Sequence, residues 1–205
     1  MIIGIDLDNT IIQYDALIYE LAREKNFIPD GFAKNKQAIR DHIRNLREGD
    51  IEWQKIQGAV YGGLIQRAEP FEGVKIFFDE CLRRHFKVFI ISHKTHYASY
   101  DDTKTDLREA ALKWIDEKMK DINLGGFIDR NAVFFGSTRQ DKVQEIIRLK
   151  CDWFIDDLIE TFLEPGFPSV TKKVLFGTSL KTFPTDMDEI TTCATWKEIG
   201  RTLFQ

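Results

Sequence analysis

The chain has 205 residues, 43% hydrophobic and 12% aromatic, enough for one sizeable domain or for a core domain carrying a small insertion, which excludes a disordered chain. A net charge of −4 argues against a nucleic-acid partner, because non-specific affinity for polyanions rests on a basic surface. It leaves room for a small anionic substrate held by local positive groups. No run reaches the ~18 apolar residues of a membrane span, and no basic segment followed by an apolar one opens the chain. Cys81, Cys151 and Cys193 are odd in number and widely spaced, which fits buried thiols better than a disulfide framework or a clustered zinc site. The expectation is a cytoplasmic protein with no membrane contact.

The opening run, Met1–Thr10 (MIIGIDLDNT), is a β-branched apolar segment leading into two carboxylates, Asp6 and Asp8. It predicts a buried parallel strand and the loop that leaves its C-terminal end. After Thr10 the period becomes helical. Ala16, Leu17, Leu21 and Ala22 share one face, a second helix is predicted over 33–47, and a third over 51–65 with Trp53, Ile56, Val60 and Leu64 in one stripe. The interval from Thr10 to Ala68 shows no strand pattern, which predicts a helical insertion. Trp53, Tyr61 and Phe71 read as packing of that insertion and its hinge rather than as a stacking platform.

An α/β rhythm resumes at residue 69. A helix buries Val74, Phe77, Phe78, Cys81 and Leu82, and a strand, Lys87–Ser92, follows. A polar loop from His93 to Thr105 leads to a helix with Leu107, Ala110, Ala111, Trp114, Ile115 and Met119 inward, closed by Gly125-Gly126. Strands are predicted at 132–135, 152–155 and 173–176, with a helix over 140–149 between the first two. Thr195 is a plausible N-cap for a closing helix. The fold class is α/β: a three-layer Rossmann-like core with a mostly parallel sheet, plus a small helical cap inserted after the first strand. The expected core is 1–13 and 69–205, and the expected cap is 14–68.

The residues beyond the strand ends carry the chemistry, because ligands of open α/β sheets bind there. Asp6 and Asp8 follow the first strand, Ser92 ends the second, and Asp156-Asp157 follow the fourth, with Lys142 near the start of the preceding helix. Converging carboxylates make a hard-cation site suited to magnesium. A serine hydroxyl and a lysine ammonium at the same edge can hold phosphate oxygens. The bland alternatives stand beside these: a solvated turn for Asp6 and Asp8, a strand-end hydroxyl for Ser92, a solvated helix start for Lys142, and a helix cap for Asp156-Asp157. Lys94 could reach the phosphate in place of Lys142.

The order of these four motifs, Asp-Leu-Asp-Asn-Thr, Ser92, Lys142 and Ile155-Asp156-Asp157, resembles that of the haloacid dehalogenase (HAD) superfamily of phosphohydrolases. The helical segment falls where members with a small first-type (C1) cap carry theirs. The resemblance implies a magnesium-dependent hydrolase, a phosphatase acting on a small phosphorylated metabolite. It implies Asp6 as nucleophile and Asp8 as general acid, then general base. Magnesium would be held by Asp6, Asp156 and the backbone carbonyl of Asp8. Ser92, Lys142 and the Asn9 N–H would bind the phosphoryl group, with Thr10 and Asp157 in support. His93, Lys94 and His96 are candidate substrate contacts, with a plain surface loop as the alternative.

Asp8 favours phosphate chemistry over hydrolytic dehalogenation, which needs no acid there. A phosphomutase of the same superfamily stays open, as does a phospho-ligand-binding regulatory protein, although no ligand or acid/base residue is missing. A receiver domain also gathers acidic residues, a hydroxyl and a lysine, but its chain order differs. The cap would close over a nucleotide, sugar phosphate or phospho-acid and exclude bulk water.

Overall fold

The computed structural model describes residues 1–100, 103–120, 130–177 and 189–205. In chain order its strands and α-helices are β1 (Ile2–Ile5), β2 (Ile12–Gln13), α1 (Asp15–Glu24), α2 (Lys36–Arg44), α3 (Gly49–Tyr61), β3 (Glu69–Pro70), α4 (Val74–Arg83), β4 (Lys87–His93), α5 (Leu107–Lys118), β5 (Val133–Gly136), α6 (Arg139–Leu149), β6 (Trp153–Asp156), α7 (Ile159–Phe162), β7 (Lys172–Phe176), β8 (Ile190–Cys193) and α8 (Trp196–Leu203). The chain divides into two units. A core unit comprises Met1–Ile12, Pro70–Lys94 and Met119–Gln205, and a helical unit comprises Gln13–Glu69 and Thr95–Lys118.

The core unit is built on a six-stranded sheet of order β5-β4-β1-β6-β7-β8, with every neighbouring pair parallel. The central strand β1 has the β-branched, wholly apolar sequence that a strand covered on both faces requires, and Ile3 and Ile5 are fully buried. Its Gly4 is needed for space: a Cβ there would lie 2.7 Å from the Phe154 ring of β6. Helix α4 buries Val74, Phe77, Phe78 and Cys81. Phe77 and Phe78 pack with Trp196 of α8, which also meets Phe176 of β7. Thr195 is the N-cap of α8, its hydroxyl accepting from the Glu198 N–H. Burial pushes the Cys81 and Cys151 thiols up to about 12, so both are inert packing groups.

Sheet and helix assignments follow the alternation in the sequence, with three differences. β2 and β3 form a two-stranded sheet of their own at the points where the chain passes between units, so the insertion does begin with strand structure. β8 (ITTC) exposes its two threonines at the sheet edge, which hides it from a search for apolar runs. The short helix α7 follows Asp157-Leu158 and buries Thr161 and Phe162. Gly125-Gly126, expected to close the α5 segment, lies outside the described residues.

The helical unit packs α1, α2 and α3 through Leu17, Ile18, Ile39, Ile43, Trp53, Ile56 and Val60. Segment Thr95–Lys118, which the sequence rhythm places with the core, belongs to this unit. Its helix α5 buries Leu107, Ala111, Trp114 and Ile115, and the Trp114 indole N–H donates to the Ala68 carbonyl at 2.9 Å. The aromatic stripe is divided too. Trp53 is buried within the helical unit and Tyr61 meets Tyr14 edge-on at 4.7 Å, whereas Phe71 packs on Phe176 of the core unit. No helix of the described residues is long and apolar enough to cross a membrane.

Candidate active site

All of the site residues described next, His96 excepted, belong to the core unit. Asp6 is the first residue beyond β1, and its N–H donates to the Ile155 carbonyl of β6 at 2.9 Å, the residue before Asp156. Ladder pairing thus sets the first and fourth motifs side by side at the C-terminal sheet edge. The loop after Asp6 is tightly wound. Leu7 O accepts from the Ile11 and Ile12 N–H groups at 3.0 Å each, and Asn9 takes a left-handed conformation with φ 63°. The Trp196 indole N–H ties the loop down by donating to the Thr10 carbonyl at 3.0 Å.

Lys142 reaches this edge from the first turn of α6. Two local devices put it there. Thr138 and Asp141 form a capping box: the Thr138 hydroxyl accepts from the Asp141 N–H at 3.0 Å, and the Asp141 carboxylate accepts from the Ser137 and Thr138 N–H groups at 2.9 Å. Those backbone donors hold the Asp141 carboxyl below the usual carboxylate range. The second device is Gly136 at the end of β5, where a Cβ would lie 2.8 Å from Asp141 Cβ and 2.9 Å from Lys142 N. The sequence Thr138-Arg139-Gln140-Asp141 carries the cap signal.

The Lys142 ammonium, 2% exposed, donates to Asp6 Oδ1 at 2.7 Å and Asp156 Oδ2 at 2.5 Å. It also lies 5.3 Å from the centroid of the Phe154 ring. Burial pushes the Asp6 carboxyl up to about 6, opposed by the Lys142 ammonium and reinforced by the charges of Asp156 and Asp8. Burial works against the Lys142 charge as well, yet Asp156 and Asp6 outweigh it and the lysine is held above its ordinary range. One ammonium between two buried carboxylates leaves a negative charge uncompensated. Asp156 uses its other oxygen, Oδ1, to accept the Leu158 N–H at 2.9 Å.

Carboxylate oxygens of Asp6, Asp156 and Asp157 all lie within 4.8 Å of one another. An all-oxygen donor set carrying excess negative charge fits a hard divalent cation such as magnesium. Thr10, fully buried, donates its hydroxyl to Asp157 Oδ1 at 3.5 Å.

The other candidates fall into place as follows. Ser92 is buried on β4, the strand beside β1. Lys94 does not join the Asp6 cluster; its buried ammonium lies 2.7 Å from Asp8 Oδ2. This contact is illegible in the sequence, where Lys94 and Lys142 compete for one role. The Asn9 N–H, expected to serve the phosphoryl group, donates instead to the Ile12 carbonyl at 2.9 Å, a consequence of the tight loop. The polar segment that begins at His93 divides between the two units after Lys94. His93 donates from Nε2 to the Ser137 carbonyl at 2.9 Å in the core unit, while exposed His96 faces Asp106 at 3.5 Å in the helical unit.

No family model matches the chain, and no curated protein does. Solved structures do. A Bacillus subtilis protein described as the HAD-hydrolase YfnB, bound to magnesium, aligns with a TM-score of 0.57 at 14% identity, over 98% of this chain and 97% of that one. A dehalogenase with an intermediate complex aligns at 0.59 and 10% identity, over 99% and 96%. A phosphoserine phosphohydrolase-like protein from Francisella tularensis aligns at 0.50 and 12% identity, over 98% of each chain. These alignments run over nearly the whole chain and rest on the mostly parallel α/β sheet: the chain has the fold of the haloacid dehalogenase superfamily of hydrolases.

Proposed function

We propose that the protein is a magnesium-dependent phosphatase of this superfamily, cytoplasmic, hydrolysing a small phosphomonoester metabolite through an aspartyl phosphate on Asp6. The observation that carries the reading is the Lys142 ammonium set between Asp6 and Asp156, with Asp157 beside them. That constellation supplies a nucleophile, a positive group and an oxygen-rich cation site at one sheet edge.

Asp6 attacks phosphorus, and Asp8 protonates the leaving oxygen. Asp8 then takes a proton from the water that cleaves the aspartyl phosphate. Ser92 and Lys142 orient the phosphoryl oxygens, and the Asn9 N–H can join them only by leaving Ile12 O. Asp6, Asp156 and the Asp8 carbonyl would hold magnesium, with Asp157 in reserve; the ion supplies charge neutralisation at the phosphoryl group. The helical unit, Gln13–Glu69 with Thr95–Lys118, would supply substrate selectivity. Dehalogenases share the fold, but Asp8, an acid/base that their hydrolysis does not need, favours phosphate transfer.

The test is phosphate release from a panel of nucleotides, sugar phosphates and phospho-acids, with magnesium against chelator. Turnover should require magnesium and vanish in Asp6→Asn. A wild type that releases phosphate from no substrate, or an Asp6→Asn variant with full activity, would sink the reading.

A further inference from the structure

Lys94 is buried, and the proposed chemistry assigns it nothing. Its backbone is fixed one residue beyond β4, where its N–H donates to Gly136 O at 2.9 Å and extends the ladder with β5. Asp8 is fixed just as firmly, bridged to Ile12 in the wound loop after β1. The backbones are thus anchored independently, and what remains to be set is the torsion of the Asp8 carboxylate. The Lys94 ammonium, on a side chain 2% exposed, meets Asp8 Oδ2 at 2.7 Å, with the Asp8 side chain 16% exposed.

A buried ion pair is a poor device for stability alone, because desolvation of both groups offsets most of the attraction. It is a good device for holding one orientation. Among the described residues, two buried lysines at the sheet edge divide this labour: Lys142 binds Asp6 and Asp156, and Lys94 binds Asp8. An anionic substrate group seeking Lys94 would have to displace a carboxylate already in contact with it.

We infer that Lys94 is a positioning residue, which holds the Asp8 carboxylate in line for proton transfer. The inference rests on the phosphatase reading. In the second half-reaction a water oxygen bonds to phosphorus as the bond from phosphorus to Asp6 breaks. The electron pair of that bond returns to the Asp6 carboxylate, and the water proton passes to Asp8. Lys94 gives and takes no proton; it sets where the Asp8 oxygens point.

The test is a double-mutant cycle on the full chain, using acetyl phosphate with magnesium as the probe and following phosphate release and acid-quenched phosphoenzyme. K94M should lower kcat roughly 100-fold, within the span that a positioned acid/base contributes, with KM within about twofold. Phosphoenzyme should accumulate. K94M/D8N should be no slower than D8N beyond about twofold, because a residue acting through Asp8 loses its effect when Asp8 is gone. Three results would overturn the role: K94M within about threefold of wild type, a loss carried by KM, or the same K94M factor repeated on the D8N background. Circular dichroism adds a fourth, since a K94M chain that fails to fold, with or without D8N, makes Lys94 structural. A wild type inert toward every phosphoryl donor overturns the phosphatase reading and this role with it; an active wild type indifferent to K94M overturns this role alone.

Discussion

The sheet edge of the core unit and the helical unit handle charge in opposite ways. At the sheet edge of the core unit two lysine side chains, each 2% exposed, meet carboxylates that are themselves largely buried. The ion pairs of the helical unit lie in solvent, as in Arg67–Glu20 at 2.8 Å with side chains 50% and 55% exposed, and Arg44–Asp50 at 2.8 Å with 49% and 72%. Solvated pairs cost little to make and contribute little. Buried ones cost far more to assemble, and the core unit assembles them where its strand-end carboxylates converge. The difference sets buried charge at the strand ends against solvated charge in the helical unit, and it can be broken at either end.

The largest effect should come from Lys142→Met. It removes the ammonium between Asp6 and Asp156 and leaves two buried carboxylates facing each other. Loss of one partner from a buried pair costs about 3–5 kcal/mol, and under the proposed phosphatase function turnover should fall by about 10²–10³-fold or more. Urea unfolding in chelator and phosphate-release kinetics read the two effects separately. Stability unchanged from wild type would show that the edge is far wetter than its burial implies.

Asp6→Asn sharpens the same contrast in the opposite direction. Burial raises the Asp6 carboxyl from the usual 3.8 to about 6, so the folded chain binds that proton more tightly than the unfolded chain does. The proton contributes stability that is fully present below 3.8 and is lost as pH rises through about 6. In chelator, Asp6→Asn should therefore be more stable than wild type above pH 6, and the gap should close on acidification toward 3.8. The variant should also be inert. Urea midpoints across pH 4–8 test this, and a gap independent of pH would refute it.

How much of this was legible in the sequence depends on the range of each interaction. The strand-end positions of Asp6, Ser92 and Asp156 are legible because strands announce themselves by composition and parallel strands deliver their C-terminal ends to one edge. Lys142 is singled out in the sequence only by the order of motifs, although its placement has a local cause in Thr138, Asp141 and Gly136. The Lys94–Asp8 contact had no sequence signal, because it depends on how far one strand end overshoots its neighbour. Helix α5 shows the other limit. Its period revealed which face is buried, but not that Trp114 is buried in the helical unit rather than against the sheet.

Each unit also buries one indole that satisfies a carbonyl of the connecting chain: Trp196 with Thr10 O at 3.0 Å, and Trp114 with Ala68 O at 2.9 Å. Trp→Phe at either position leaves a buried carbonyl unpaired, at a cost of about 1–3 kcal/mol. The activity should differ, since Thr10 O belongs to the loop that carries Asp8. Trp196→Phe should lower kcat severalfold under conditions where both variants are fully folded. Thermal midpoints with matched kinetics decide it, and a Trp196→Phe enzyme with wild-type kcat would detach the indole from the loop's geometry.

The smallest effect should come from Glu20→Gln in the helical unit. Arg67 keeps its solvent and Glu20 loses only a screened attraction, so stability should change by less than about 1 kcal/mol. Raising salt should shrink even that difference, because exposed charges are screened within about 10 Å at 0.1 M. Lys142→Met should keep its deficit in the same salt, its partners being out of reach of mobile ions. A Glu20→Gln loss as large as that of Lys142→Met, or one insensitive to salt, would erase the distinction between the two units. The pair would then have to be counted among the structural charges of the molecule despite its exposure.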